Sequence, residues 1–395
     1  MTQQNRWLLP EGIEEALPEL ADRLEHYRRR LLDLYRGWGY ELVMPPLIEY
    51  VESLLTGTGH DLDLNTFKLI DQLNGRLMGV RADMTPQVAR IDAHRLRRDT
   101  PSRLCYMGTV LHTRPDGFAG SRSPLQVGAE LYGHAGVESD VEVLQLMLET
   151  FAACGIPTVH VDLGHVAVYR GLARQAGLDA AQEAAFFELL QRKALPEITA
   201  FVDALGLEPA MSGMLRALAT LSGGDDTPAE AHRMLAVAGP DVHAAIDYVA
   251  TVAEALRRSH PAAEIHFDLS ELRGYHYQTG VVFAAYVPGE GQEIARGGRY
   301  DEIGRVFGRA RPATGFSTDL KTLVRLSRDV APTSSGGIFA PAAEGAALES
   351  LVRELRVAGE RVIRGFAGQD AAAARAMGCD RIIDNVSGQW TVRGM

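Results

Sequence analysis

Cysteine is scarce in this 395-residue chain: Cys105, Cys154 and Cys379 are the whole complement. They stand far apart, with no C-x-x-C pair and no cysteine–histidine spacing of a zinc site. That excludes a disulfide framework or a zinc module and suggests a reduced, cytosolic setting. No apolar run approaches the ~20 residues of a membrane span. The opening stretch MTQQNRWLLPEGIEEAL lacks the charged head and apolar core of a signal peptide. A Walker lysine loop, a dinucleotide glycine fingerprint and a nucleophile with a neighbouring base are all missing. The expectation is therefore a cytoplasmic chain with no cofactor, no metal and no membrane contact. Basic residues are outnumbered, 40 against 51, for a net charge of −11, which weighs against a large nucleic-acid surface. Apolar residues make up 46%, enough for a sizeable core, at a length that suits two or three domains.

Periodicity divides the chain. Residues 12 to 37 read as an amphipathic helix, with Leu20, Leu24, Tyr27, Leu31, Leu34 and the following Trp38 at steps of three and four, stopped by Gly37 and Gly39. YELVMPPLIEY runs extended because its two prolines forbid helix. TFKLIDQLNGRLMGVRAD is a hairpin turning at Asn74-Gly75. Thr85 and Pro86 open a helix, as N-cap and first helical residue, that runs to about Arg97. RLCYMGTVLH and PLQVGAELYG are strands joined by a loop over 113–123. Residues 138–153 form a helix and TVHVDLG a strand. From about 170 to 260 alanine and leucine dominate and strand signals disappear: a helical insertion. Strands return with EIHFDL, HYQTGVVFAAYV and QEIAR, then a helix in GFSTDLKTLVRLSR. APTSSGG is a linker, and 336–395 alternates strand and helix before a last hairpin at Ser387-Gly388. The fold class expected is α+β: an antiparallel sheet flanked by helices in a domain over 1–328, with a small α/β module over 329–395.

Three polar sets could share a site. Gln126, Gly128 and Glu130 lie on one face of a strand by the period of two, a floor with room for a small ligand or else a solvent face. Asp83 and Thr85 sit at a strand-to-helix junction, where capping alone would also account for them. Arg273 precedes a stretch in which His276, Gln278 and Gly280 share one face and Tyr275 and Tyr277 the other; a surface loop is the plainer reading. Acids, amides and an arginine together suit a free amino acid, ammonium to acid and carboxylate to arginine. A fourth set, ARGGRYDEIG, is a weak phosphate-loop signal or a tight turn.

The order of these parts resembles the class II aminoacyl-tRNA synthetases, and within them histidyl-tRNA synthetase, over about residues 7–328. YELVMPPL resembles motif 1, the dimer-forming element, with Pro45 at the motif proline. GTVLHTRPDGFAGSRSPLQVGAELYG resembles motif 2, and TGFSTDLKTLVRL motif 3. LRGYHYQTGVVF and GGRYD resemble two boxes peculiar to the histidine enzymes. The resemblance implies a histidine pocket of Asp83, Thr85, Gln126, Glu130, Arg273, Tyr277 and Gln278, with Gln278 replacing the second tyrosine of its box.

The departures fall on the nucleotide side. His112 takes the place of the motif 2 arginine that holds the α-phosphate of ATP, and Thr322, beside Lys321, that of the motif 3 arginine on the γ-phosphate. Losing one such electrostatic contact typically costs on the order of 10²–10³ in rate. The tail is too short for the synthetases' anticodon-binding domain. A histidine pocket without a nucleotide clamp resembles the regulatory subunits of short-form ATP phosphoribosyltransferase. The family implies no catalysis by this chain itself, a hetero-oligomer with the short catalytic subunit, a homodimer through motif 1, free histidine as feedback effector, and no tRNA. The alternatives are a divergent histidyl-tRNA synthetase or a class II-like ligase, with Arg114, Lys321 or Arg299 as substitute phosphate clamps.

Overall fold

A computed structural model describes residues 7–56, 60–115, 120–270, 277–329 and 336–395. The chain divides into two compact units, Met1–Arg328 and Asp329–Met395.

The first unit opens with α1 (Pro18–Gly37). It starts later than the apolar periodicity suggested, at a proline suited to the first turn. Leu24, Tyr27, Leu31 and Tyr35 form its buried stripe. The chain leaves through Gly39, whose φ of 82° is a left-handed conformation natural to glycine. Two short strands, β1 (Glu41–Leu42) and β2 (Ile48–Tyr50), flank the paired prolines. Short helices α2 (Val51–Leu54) and α3 (His60–Asn65) lead to the hairpin β3 (Phe67–Ile70) and β4 (Leu77–Val80). Asp71 and Asn74 close its turn onto the backbone amides of Leu73 and Arg76. Helix α4 (Thr85–Arg90) passes into one stretch of π-helix, Ile91–Leu96.

Strands β5 (Ser102–Thr109) and β6 (Leu125–Tyr132) follow, then α5 (Val137–Ala153) and β7 (His160–His165). The insertion comprises α6 (Val166–Gln175), α7 (Ala180–Gln191), α8 (Leu195–Ala204), α9 (Pro209–Leu218), a two-residue β8 (Ser222–Gly223), α10 (Thr227–Met234) and α11 (Pro240–Ser259). It has its own core around Tyr169, Phe186, Leu215 and Ile246. Strands β9 (Glu264–Asp268), β10 (Val281–Tyr286), β11 (Ala295–Arg299) and β12 (Ala313–Asp319), then α12 (Leu320–Leu326), complete the unit.

The large sheet has nine strands in the order β1-β5-β6-β12-β11-β10-β7-β9-β8. It is mostly antiparallel, as expected, with two parallel pairs, β1–β5 and β7–β9. The parallel β7–β9 pair follows from the insertion, which carries the chain back across the sheet before it re-enters. Side-chain alternation separates the two faces. Cys105, Val127, Ala129 and Leu131 point into the main core, against α1, α5 and α12. Tyr106, Gln126, Gly128 and Glu130 fall on the opposite face by the same period of two. The strand expected to include Gln278 and Gly280 begins only at Val281, so both residues precede β10.

The second unit is described separately. It holds β13 (Gly337–Ala340), α13 (Ala346–Val357), β14 (Val362–Arg364), α14 (Ala371–Ala376), β15 (Cys379–Val386) and β16 (Gln389–Gly394). Its sheet order is β14-β13-β15-β16, parallel except for the closing hairpin. Ile338, Leu348, Val352, Val362 and Ile383 form its core.

Candidate functional site

The site is built where β5, β6 and β12 meet the start of α4. Register decides which side chains share it. Tyr106 lies opposite Gly128, Gly108 opposite Gln126, and Gly315 opposite Glu130. A β-carbon at Gly128 would collide with the Tyr106 hydroxyl. The space that the sequence suggested for a ligand over Gly128 is therefore filled by this tyrosine. Gly315 has the same kind of role, because a β-carbon there would overlap the Glu130 carboxylate.

Glu130 is 1% exposed and surrounded by hydroxyls. Tyr106 donates to it at 2.9 Å and Thr85 at 3.2 Å, and the Tyr300 hydroxyl donates to its other oxygen. Burial pushes its carboxyl up from 4.5 to about 8, with the three hydroxyls opposing the shift and Asp83 adding to it. Glu130 is thus an acid held largely protonated near neutral pH, one that a cationic or hydrogen-bonding ligand would stabilise in its ionised form.

A second group adjoins it. Gln126 donates from Nε2 to Asp83 Oδ1 at 2.7 Å, and its carbonyl oxygen accepts from the Met84 amide at 2.9 Å. Asp83 Oδ1 also accepts from the Thr85 amide at 2.9 Å, an Asx turn that starts α4. Capping therefore accounts for one oxygen of Asp83. It does not account for Thr85, which is the first helical residue rather than the N-cap and whose hydroxyl instead meets Tyr106 at 3.0 Å and Glu130.

Gln278 is 3% exposed, and its Oε1 has no hydrogen-bond partner among the described residues. Its amide lies over Gly298, which pairs with Gly315, so Gln278 and Glu130 stand over adjacent strands of one face. Gln278 Oε1 is thus a buried acceptor on the face that carries Glu130. Tyr277 is 40% exposed, with its ring edge-on to Tyr300 at 6.4 Å. Arg273, with Tyr275 and His276, lies outside the described residues. The structure thus brings together Asp83, Thr85, Gln126, Glu130 and Gln278. Sequence reasoning missed Tyr106 and Tyr300 as partners of Glu130; the register pairing of a tyrosine with a strand glycine was the available signal for Tyr106.

Of the candidate phosphate clamps, Arg299 and Lys321 are engaged within the protein and Arg114 is exposed, while His112 and Thr322, at the two motif arginine positions, bond to the chain itself. His112 Nε2 meets the Ala82 carbonyl at 2.9 Å, and its backbone pairs with Arg122. Arg299 is not in a phosphate loop: GGR is strand β11, and its guanidinium is buried on Asp140 at 3.0 Å, Ser139 at 2.8 Å and the His134 carbonyl at 3.2 Å. Thr322 donates to Asp319 at 3.0 Å in the first turn of α12. Lys321 reaches Ser123 at 3.3 Å, and Arg114 is exposed. Among the described residues no cluster of three or more histidine, cysteine or acidic side chains could hold a metal ion. No described helix is long and apolar enough to cross a membrane.

Comparison with known proteins decides the family. The histidyl-tRNA synthetase family model matches residues 12–323. A model described as the ATP phosphoribosyltransferase subunit HisZ C-terminal domain matches residues 335–393. An ATP phosphoribosyltransferase regulatory subunit from Thioalkalivibrio sulfidiphilus is 67% identical over 393 residues, covering 99% of both chains. This chain belongs to the ATP phosphoribosyltransferase regulatory subunit family. The corresponding regulatory subunit from Pseudomonas aeruginosa is 56% identical, also over 99% of both chains. Among solved structures, a protein from Bacillus halodurans, described as an ATP phosphoribosyltransferase regulatory subunit/histidyl-tRNA synthetase, superposes with a TM-score of 0.84 at 27% identity. The match covers 97% of this chain and 99% of that one. Histidyl-tRNA synthetase from Nostoc, at 18% identity and a TM-score of 0.80 over 98% and 97% of the two chains, shares the fold. This chain thus joins a synthetase-like unit over 12–323 to a terminal module over 335–393.

Proposed function

We propose that this chain is the histidine-sensing, non-catalytic regulatory subunit of a short-form ATP phosphoribosyltransferase, acting in the first step of histidine biosynthesis. One observation carries the reading. The acid, hydroxyl and amide groups suited to a zwitterionic imidazole compound converge on one face, while His112, Arg299 and Thr322 are engaged by the protein itself. In this reading Asp83, Thr85 and Gln126 take the ammonium group, Glu130 and Gln278 the imidazole nitrogens, and Arg273 and Tyr277 complete the pocket. Histidine acts by linkage: it shifts the assembly only as far as it binds the inhibited arrangement more tightly than the active one. A homodimer through motif 1 is supported by the exposed apolar side chains of Leu42, Met44, Leu47 and Ile48 on that segment.

The test is reconstitution with a short-form catalytic subunit, scored for phosphoribosyl transfer with and without histidine. Transfer requires both chains and falls on adding histidine; Glu130→Gln keeps the activation and loses the histidine response. Histidine-dependent pyrophosphate–ATP exchange by the purified chain would overturn the proposal and favour a synthetase or ligase.

A further inference from the structure

The sheet of the second unit ends on a strand with no neighbour on its outer side: among the described residues β16 pairs with β15 alone. The other sheet edges are short, with β1 and β8 two residues long, β2 and β14 three, and β3 four. Short edge strands are one means of keeping open backbone from joining another chain. Strand β16 is six residues long and lacks the other means as well. QWTVRG has no proline or lysine, and its register with β15 contains no bulge. Its charged residue, Arg393, is turned onto Asp384 of the neighbouring strand at 2.8 Å.

Hydrogen-bond phase shows which groups face outward. The Met395 amide donates to the Asp380 carbonyl at 2.9 Å. At the other end the tight turn Ser387-Gly388, both residues at positive φ, sets Gln389 opposite Val386 in a bonded pair. Bonded and unbonded pairs alternate along an antiparallel ladder. Gln389, Thr391 and Arg393 therefore bond inward to β15, and the N–H and C=O groups of Trp390, Val392 and Gly394 point out of the sheet. The side chains of Trp390 and Val392 pack on the core beside α13 but are only half-buried. Gln389, Thr391 and Arg393, on the other face, are exposed.

We infer that β16 pairs antiparallel with β16 of a second copy of this chain, about a two-fold axis at Thr391, and so joins two four-stranded sheets into one. The register follows from the side chains. With the axis at Thr391, Trp390 lies opposite Val392 of the partner subunit, Gln389 opposite Arg393 of the partner subunit, and Thr391 opposite its own counterpart. Aromatic against β-branched and threonine against threonine are favourable cross-strand pairs, and no like charges face each other. An axis at Val392 would set Trp390 against a glycine, and an axis at Trp390 would set Val392 against the turn glycine. Thr391 is thus the centre at which both half-buried apolar side chains meet apolar partners. The contact lies on a different unit from the motif 1 segment and does not depend on the histidine-pocket reading.

The test is disulfide trapping on the full chain. Cys105, Cys154 and Cys379 are buried, so the parent should give no cross-link. Thr391→Cys should give a dimer on a non-reducing gel after mild oxidation. The α-carbons of an unbonded antiparallel pair stand about 4.5 Å apart, within reach of a disulfide. Gln389→Cys or Arg393→Cys alone should give none, because like positions are then offset by about four residues, or about 13 Å along the strand. Co-expressed, those two variants should cross-link to each other. Val392→Pro removes an outward N–H and none of the bonds to β15; added to Thr391→Cys, it should abolish trapping. The inference is overturned by no dimer from Thr391→Cys, by none from the co-expressed pair, by equal trapping with Gln389→Cys alone, or by trapping that survives Val392→Pro in a folded protein. Should Val392→Pro fail to fold, the cysteine variants still decide.

Discussion

Replacing Glu130 by glutamine isolates the cost of keeping an acid in this pocket. In the folded protein burial raises its pKa from 4.5 to about 8. Between those values the native state holds a proton that the unfolded chain has released. The term contributes no penalty below about pH 4.5; stability then falls as pH rises, and the full cost is present above about pH 8. One pKa unit corresponds to about 1.4 kcal/mol, so the interval amounts to about 5 kcal/mol. Glutamine has nearly the same shape and no charge to desolvate. Near pH 5 the two proteins should therefore be of similar stability in urea denaturation. The variant's advantage should then grow by about 1.4 kcal/mol per pH unit until it levels near pH 8. A parent–variant difference that stays constant from pH 5 to 8.5 would refute the claim that Glu130 is held protonated. Histidine should cancel part of the effect in the parent, because an imidazole donor or cation against Glu130 favours its ionised form.

Gly315→Ala should destabilise the fold by about 1–3 kcal/mol, as overpacking does, and abolish histidine binding by displacing Glu130; calorimetry and denaturation on the same sample check both. Arg299→Ala leaves buried Asp140 without its cation and should cost about 3–5 kcal/mol in urea denaturation; near-parental stability would mean that Arg299 is free to serve a ligand. Burial lowers the pKa of His165 to about 4, and its Nδ1 accepts from the Ala167 amide at the start of α6. The unfolded chain takes up a proton near 6.5 and the native one only near 4, so this contribution is complete above about pH 6.5 and is lost as pH falls. NMR titration should show His165 neutral at pH 5; a midpoint near 6.5 would contradict its burial.

What the sequence determined on its own was local and periodic. The three-and-four spacing of Leu24, Tyr27 and Leu31 marks out α1, and Asn74-Gly75 turns its hairpin through the left-handed Gly75 and local Asp71 and Asn74 side-chain bonds. The period of two was enough to put Gln126 and Glu130 on one face of β6. Tertiary structure decided what that face holds. Only the register of β5, β6 and β12 puts Tyr106 over Gly128 and Glu130 over Gly315. Arg299 read as a phosphate contact because its use depends on Asp140, far away in sequence and adjacent only after α5 packs on the sheet. Thr85 likewise passes for a capping residue until strand pairing shows that it faces Tyr106 and Glu130. The physical reason is the same in each case: charge state and hydrogen-bond partnership are set by burial and by neighbours brought from distant segments, and neither is encoded in nearby sequence.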